Sequence, residues 1–255
     1  MQALGYAFAL AIGLTLGMLG GGGSILTVPV FVYVLGYDPK LAIAMSLPVV
    51  GVTSLVGAIG HWRADNVRVR TALLFGVFTM AAAYVAARYS IRLQGRAQLL
   101  ILGVAILSAA LLMLRDSLRP APPAPATVAG DRSRFALPLA GLAVGVLTGL
   151  VGAGGGFLIV PALVLLAAVP MRQAIGTSLT VIAMNTAAGF AGLRNIATIP
   201  WAFVLTFGAV AVTGIIVGTV AARHVRQTTL KRGFAVFLLT VAILLVWQNW
   251  GRGSP

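Results

Sequence analysis

Long apolar stretches recur along this chain and are separated by short basic connectors that contain glycine and proline. The stretch LLILGVAILSAALLML, residues 99–114, is apolar on every face. About 20 such residues cross a bilayer as a helix, whereas the strands of a membrane β-barrel alternate polar and apolar side chains. With 60% hydrophobic and 9% charged residues, the chain has too little polar surface for a soluble globule. We therefore expect an all-α polytopic membrane protein.

The sequence contains two copies of one pattern, 132 residues apart. GGGGSILTVP at residues 20–29 aligns with GAGGGFLIVP at 152–161, and LAIAMSL at 41–47 aligns with QAIGTSL at 173–179. Self-similarity at one fixed offset indicates internal duplication. The predicted division is an N-terminal transmembrane repeat, a proline-rich cytoplasmic linker and a C-terminal transmembrane repeat, over residues 1–114, 115–134 and 135–255.

Each repeat is expected to hold five apolar helical elements. The predicted elements are 3–19, 24–36, 41–60, 71–88 and 97–114, then 135–151, 157–169, 174–192, 201–222 and 233–250. The second element of each repeat has about 13 residues, or roughly 20 Å of helix, which barely crosses a bilayer. If these short elements span, the chain has ten crossings and the repeats are inverted. If they are re-entrant or extend the first helix, it has eight and the repeats are parallel.

The basic residues distinguish these two arrangements, because cytoplasmic loops carry more Lys and Arg. With ten crossings, twelve basic residues fall on one side and six on the other, whereas eight crossings divide the eighteen equally. The twelve are Arg63, Arg68, Arg70, Arg115, Arg119, Arg132, Arg134, Arg172, Arg223, Arg226, Lys231 and Arg232. The bias favours two inverted five-element repeats, with both termini outside and the linker in the cytoplasm.

The glycine clusters predict a helix break in each repeat, since each glycine costs about 1 kcal/mol of helix propensity relative to alanine. A break in lipid frees backbone N–H groups that protein, water or a ligand must satisfy, and such groups can bind an anion. The glycines also suit close helix packing, which is the alternative interpretation. The candidate binding residues here are Gly21, Gly22, Gly23, Ser24, Gly154, Gly155 and Gly156.

Hydroxyl and amide side chains recur on the third element of each repeat. Ser46 and Thr53 are seven residues apart, as are Ser178 and Asn185, so each pair shares one helix face, and Thr177 precedes Ser178. Such a face offers neutral donors to an oxyanion without a buried charge. The alternative for each side chain is a hydrogen bond to a carbonyl of its own helix.

Ionisable residues are scarce in the apolar stretches. All four acids lie in loops or the linker, which disfavours a proton relay and a cation carrier. His61, Arg63 and Arg194 end third elements and could attract an anion at a cavity mouth, although snorkelling to the interface is the common role. The two histidines lack partners at metal-ligand spacing and the chain has no cysteine, so no metal, cofactor or catalytic group is expected.

The paired glycine breaks, each with a downstream proline and an AIAMSL or AIGTSL segment, resemble the sulfite exporter TauE/SafE family of membrane permeases. The resemblance covers nearly the whole chain outside the linker. It implies export of sulfite or an organosulfonate such as sulfoacetate through the bacterial inner membrane, without a bound cofactor.

The expected function is therefore transport of a small anion, by alternating access or gated facilitated diffusion. An anion channel and a non-transporting membrane scaffold or enzyme are the alternatives. The expected partners are the anionic substrate and the lipid bilayer, and a homodimer is allowed. The net charge of +14 is explained by basic loops beside the membrane and not by nucleic-acid binding.

Overall fold

The computed structural model of the chain describes residues 2–90, 95–118, 132–151, 156–191 and 199–250, which are helical with short connections and contain no strand. Within these ranges the α-helices are α1 Gln2–Leu19, α2 Ser24–Pro29, α3 Pro39–Trp62, α4 Val69–Ser90, α5 Gly95–Leu118, α6 Arg132–Val151, α7 Gly156–Pro161, α8 Met171–Ala191, α9 Trp201–His224 and α10 Gln227–Trp250. A 3-10 turn, Gly20–Gly23, precedes α2. Two π-helical turns, Val30–Val34 and Ala162–Leu166, continue α2 and α7.

From α2 and α7 onward, corresponding helices of the two repeats begin 132 residues apart. Ser24 begins α2 and Gly156 begins α7, while Gly95 begins α5 and Gln227 begins α10. The offset read from the motifs therefore extends to the secondary structure of the described residues.

The π turns replace the ends of two predicted helices, 24–36 and 157–169. Each follows a proline, Pro29 or Pro161, whose missing amide hydrogen removes one helical hydrogen bond. The chain then widens, so that the Leu35 amide donates to the Val30 carbonyl at 3.1 Å and the Ala167 amide to the Ala162 carbonyl at 3.3 Å. An apolar pattern alone does not separate a π turn from an α-helix.

The first glycine cluster reverses the chain. Gly20 has a φ of +70°, a conformation that favours glycine, and it ends α1. After the reversal, a Cβ at Gly23 would lie 2.7 Å from the Ile12 carbonyl oxygen, and one at Gly5 would lie 3.0 Å from the Leu35 side chain. α2 and its π turn therefore run antiparallel to α1. We call residues 2–35 the first hairpin.

Helices of one repeat pack closely on helices of the other through small residues. α1 runs parallel to α9, with Gly13 against the Ala211 backbone and Gly17 against Ile215. α6 lies in the same way along α4, where Gly145 meets the Thr79 backbone. In a membrane, such glycines allow backbones to approach closely and gain dispersion energy.

The two third elements, α3 and α8, pack antiparallel. The position of a Gly51 Cβ lies 3.1 Å from Thr186 Oγ1, and that of a Gly57 Cβ lies 3.0 Å from the Leu179 side chain. As residue numbers rise along α3, the numbers of their neighbours in α8 therefore fall. α5 and α10 are also antiparallel, since Asp116 near the end of α5 forms a 2.7 Å ion pair with Lys231 near the start of α10.

These contacts define two ends of the bundle. At the linker end, α3, α5 and α9 finish and α4, α8 and α10 begin. Arg223 there donates to the Gly60 carbonyl at 3.1 Å, and Arg68 donates to Gln173 Oε1 at 2.6 Å. At the opposite end, Phe31 packs against Phe207 with ring centroids 4.9 Å apart.

The outer surface of the bundle is apolar. Four stretches of the described residues are long and apolar enough to cross a membrane, namely Leu4–Val34, which includes both arms of the first hairpin, Leu41–Trp62, Val69–Ala86 and Trp201–His224. Large apolar side chains on the outside, such as Leu139, Leu205 and Val104, are about two-thirds exposed. A surface of this kind suits lipid and not water. The predicted all-α membrane protein is confirmed for the described residues.

Candidate functional site

The glycine clusters of the two repeats meet inside the bundle. A Cβ added to Gly21 would overlap the Gly156 carbonyl oxygen, so the two backbones are in direct contact. A Cβ added to Gly156 would lie 2.6 Å from Ser24 Oγ. Because Ser24 and Gly156 occupy corresponding positions of the two repeats, this contact lies where the halves face each other. We call the set Gly21, Ser24 and Gly156 the hairpin junction.

Close packing surrounds every glycine of the first cluster, and all four are buried. The position of a Gly20 Cβ lies 2.6 Å from Ser178 Oγ, that of a Gly22 Cβ 3.1 Å from the Phe237 ring and that of a Gly23 Cβ 2.6 Å from the Leu16 side chain. The packing role considered for these glycines is therefore present, and in this conformation the junction is closed around them.

The predicted hydroxyls bond mainly within their own helices. Ser24 donates to the Gly21 carbonyl at 2.7 Å and Ser178 to the Ile175 carbonyl at 2.8 Å. Ser46 and Thr53 bond in the same way to Ile43 and Val49, at 2.8 and 2.6 Å. Each hydroxyl would therefore have to rotate before it could donate to an anion.

Two predicted residues of α8 point to different places. Ser178 reaches the first hairpin at Gly20, whereas Thr177 Oγ1 accepts a 3.0 Å hydrogen bond from the Arg68 amide in the loop after α3. Asn185 Oδ1 is buried and has no hydrogen-bond partner among the described residues. The structure thus brings Ser178 to the junction and turns Thr177 toward the linker end.

Three predicted residues, Gly154, Gly155 and Arg194, lie outside the described residues. The helices that flank the second cluster end at Val151 and begin again at Gly156. The break predicted for the second repeat stays a prediction.

His61, expected at a cavity mouth, is buried one residue before the end of α3. Only 2% of the residue is exposed, and its Nε2 atom is 3.1 Å from the Gly17 carbonyl oxygen of α1. Arg63, two residues later, is exposed at the linker end. The two residues therefore have different environments, and only Arg63 has the interfacial position that the sequence predicts.

Two clefts open on the outside of the bundle and have apolar walls. One, of about 620 Å³, lies between α5, α6 and α7, and another, of about 540 Å³, lies between α3 and α8. The first is lined by residues such as Ala105, Ala140 and Leu158, and Gly20–Gly23 lines neither. Their chemistry suits hydrocarbon, so we do not place an anion in them.

Sequence reasoning missed three buried hydroxyls, Thr27, Ser54 and Thr219. Their oxygen atoms have no hydrogen-bond partner among the described residues, although each residue is at most 4% exposed. Thr27 lies inside the GGGGSILTVP motif and Ser54 directly follows the predicted Thr53, whereas Thr219 stands in an apolar segment with no motif around it. Unsatisfied buried hydroxyls mark places where water or a ligand is expected.

Comparison with known proteins decides the family. The family model described as Sulfite exporter TauE/SafE matches residues 5–245. The chain belongs to the sulfite exporter TauE/SafE family. A probable membrane transporter protein of Xylella fastidiosa is 32% identical over 94% of this chain and 92% of its own length. No solved structure matches the chain.

More distant relatives of this TauE/SafE family member carry the same description. A probable membrane transporter protein of Methanocaldococcus jannaschii is 25% identical over 70% of this chain and 68% of its own length. Another from Bacillus subtilis is 24% identical over 96% of this chain and 99% of its own length. Together with the apolar helices, these matches identify the chain as a multi-pass membrane transporter. The resemblance that the glycine and proline motifs indicate is confirmed.

Proposed function

We propose that this transporter exports a small sulfur-containing oxyanion, sulfite or an organosulfonate, and that the anion passes the hairpin junction. The contact between Gly21 and Gly156 carries the proposal, because it joins the break of the first repeat to the first residue of α7, beside the break predicted for the second repeat. Ser24 and Ser178 stand beside it and can donate to an oxyanion after their hydroxyls rotate. The described apolar helices hold no acid at this depth that would repel an anion.

We further propose that the two repeats are inverted with respect to the membrane. The antiparallel packing of α3 against α8 supports this orientation, as does that of α5 against α10. Repeats related by an axis along the membrane normal would keep corresponding helices parallel. Inverted repeats commonly place substrate near the midplane, between the halves.

The linker end is proposed to face the cytoplasm of a bacterium, with the protein in the inner membrane. Arg63, Arg68, Arg172, Arg223 and Lys231 all lie at this end, which is the pattern of the positive-inside rule. An inside-negative potential then favours exit of an anion by about 2.3 kcal/mol per charge per 100 mV. No metal, cofactor or catalytic step enters this proposal.

The closed junction is proposed to be one state of an alternating-access cycle. Passage of an anion requires the backbones of Gly21 and Gly156 to separate, because the present contact leaves no room between them. Rocking of one repeat against the other would achieve this separation, and a gate that opens only at the junction would give facilitated diffusion.

The test is efflux from proteoliposomes that contain the purified protein and are loaded with sulfite, with methanesulfonate-loaded vesicles in parallel. We expect protein-dependent efflux of at least one of these anions. Ser24→Ala and Ser178→Ala should each slow it, since alanine fits both sites without a clash. Thr213→Ala, on the exposed face of α9, is the matched control and should leave the rate unchanged. Absence of flux for both anions would contradict the proposal and favour a scaffold role.

A further inference from the structure

His61 joins the third helix of the first repeat to the hairpin that carries the glycine cluster. Its Nε2 atom is 3.1 Å from the carbonyl oxygen of Gly17, which is among the last four carbonyls of α1. Such carbonyls lie beyond the reach of the normal helical donors. Because a carbonyl oxygen only accepts, Nε2 carries the hydrogen of this bond.

The other ring nitrogen of His61, Nδ1, takes no part in this hydrogen bond. Nδ1 is buried and has no hydrogen-bond partner among the described residues. In the neutral ring this nitrogen accepts a hydrogen bond, and in the imidazolium it donates one. In both forms it needs a partner, which the described side chains do not supply.

Thr219 on α9, next to Gly60 and Gly17, carries a second unsatisfied group. The residue is 4% exposed, and its Oγ1 atom has no partner among the described residues. The Thr219 Cγ2 atom is 3.2 Å from the position that a Cβ on Gly60, the neighbour of His61, would occupy. The Thr219 amide nitrogen is 2.7 Å from the position that a Cβ on Gly17 would occupy. Both side chains therefore border the contact of α1, α3 and α9.

Positive charge is held close to these two groups. Arg223, one helical turn after Thr219, donates through Nη2 to the Gly60 carbonyl at 3.1 Å. Arg172 at the start of α8 donates through Nη2 to the Arg223 carbonyl at 3.0 Å. α1 contains no acidic or basic side chain, and the nearest acid in sequence, Asp65, is exposed in the loop after α3. The local charge thus favours an anion.

We infer that His61, Thr219 and Arg223 form a second anion subsite at the linker end, separate from the hairpin junction. Its ligand is a small weak-acid oxyanion of the sulfite class. The protonated anion donates to the neutral His61 Nδ1, and the deprotonated anion accepts from the imidazolium, so the pair shares one proton in either case. The inference rests on the proposed function and extends it with a loading site on the cytoplasmic side.

In sequence, the three residues of the subsite have apolar counterparts. The positions of the other repeat that correspond to His61, Thr219 and Arg223 are Leu193, Ala87 and Ile91. None of these side chains can bind an anion. The anion subsite at the linker end therefore has only apolar residues at the positions that correspond to it. This difference between the two ends would make loading of the transporter directional.

The subsite also contacts the first hairpin. Gly17, which accepts from His61 Nε2, lies three residues before Gly20, where the chain reverses. A ligand on Nδ1 is therefore bound to the same ring that holds the end of α1. Occupancy of the subsite and the position of the hairpin are linked through this one side chain.

Sulfite binding to the purified full-length protein, measured by isothermal titration calorimetry, tests the inference apart from transport. Thr219→Val removes the hydroxyl and keeps the shape, and His61→Gln keeps a donor for Gly17 while removing the proton-sharing nitrogen. We expect each variant to bind sulfite about tenfold more weakly or worse, the usual loss for a hydrogen bond to a charged group. The matched controls, Thr213→Val and His224→Gln on the exposed face of α9, should keep the affinity of the wild type.

Thermal unfolding of the same variants separates binding from structure. Because Thr219 Oγ1 has no partner, Thr219→Val should keep or raise the melting temperature. Weakened binding together with a lowered melting temperature in Thr219→Val would overturn the inference, as would wild-type affinity in both variants or a wild type that does not bind sulfite. A wild type that binds sulfite through these residues but shows no flux would instead overturn the proposed function and leave the subsite standing.

Discussion

Gly21 sets how closely the two repeats can approach each other. It has no side chain at the point where the Gly156 carbonyl oxygen lies, so any larger residue would have to push the second repeat away. The Gly156 backbone cannot move aside for a larger residue at position 21 as the end of a flexible side chain could. The contact at Gly22 differs in this respect, because its neighbour is the ring of Phe237, which is able to rotate.

We predict that Gly21→Ala destabilises the protein, whereas Gly208→Ala does not. Overpacking of this kind costs about 1–3 kcal/mol. Gly208 lies within α9 with nothing inside 4 Å of its Cβ position, so alanine there should gain up to about 1 kcal/mol of helix propensity. Thermal unfolding in detergent compares the two variants. Equal melting temperatures of the two variants would show that Gly21 of the first hairpin does not contact Gly156.

The sequence predicted some residues of the candidate site, but it could not predict the surroundings of others, because those depend on contacts between distant parts of the chain. The first glycine cluster pointed to Ser24, and the hydroxyls matched in both repeats pointed to Ser178; both lie at or beside the hairpin junction. The turn of Thr177 toward Arg68 depends on how the loop after α3 folds over α8, and the burial of His61 depends on α1. Contacts of that kind join residues distant in the chain and leave no local pattern.

Among the helices, the pair α3 and α8 shows the relation between the repeats most clearly. Gly51 faces Thr186, while Gly189 faces Leu47, with a Leu47 carbon 3.4 Å from the position of a Gly189 Cβ. Corresponding helices that touch in this reversed order are expected when one repeat is turned over with respect to the other.

An engineered disulfide tests this packing, and the chain offers a clean background because it has no cysteine. The position of a Cβ at Gly51 is 3.6 Å from the Thr186 Cβ, within the range that a disulfide requires. The double variant Gly51→Cys with Thr186→Cys should therefore cross-link on oxidation. Gly51→Cys with Thr180→Cys is the control, since Thr180 is about 9 Å further along α8. A cross-link in the control pair alone would contradict the antiparallel register.

The helices themselves were largely predictable, because apolar runs between basic connectors fix where a chain crosses lipid. The differences between the repeats were not. Ala105 and Ala140 line the cleft between α5, α6 and α7, whereas the corresponding residues of the other repeat are Phe237 and Phe8. Phe237 instead packs against Gly22. The small alanine side chains thus leave a cleft beside one repeat, whereas phenylalanine side chains occupy the corresponding positions of the other. This difference can be seen only when the packing of the helices is known.

Across the whole molecule, duplication, charge and packing describe one arrangement. α3 packs antiparallel on its counterpart α8, Gly21 contacts Gly156, and arginines lie at the linker end of the described bundle. In the proposed mechanism, the two related halves exchange which side of the membrane is open, and anions collect at the basic end.

A crystal structure with selenite, a heavier analogue of sulfite, tests whether an anion binds at the hairpin junction. Anomalous scattering from selenium would locate the anion without ambiguity. We predict a selenium peak within hydrogen-bond distance of Ser24 and Ser178, with the backbones of Gly21 and Gly156 further apart than in the present structure. A structure saturated with selenite in which Gly21 still contacts Gly156 and no peak lies between the repeats would contradict this prediction.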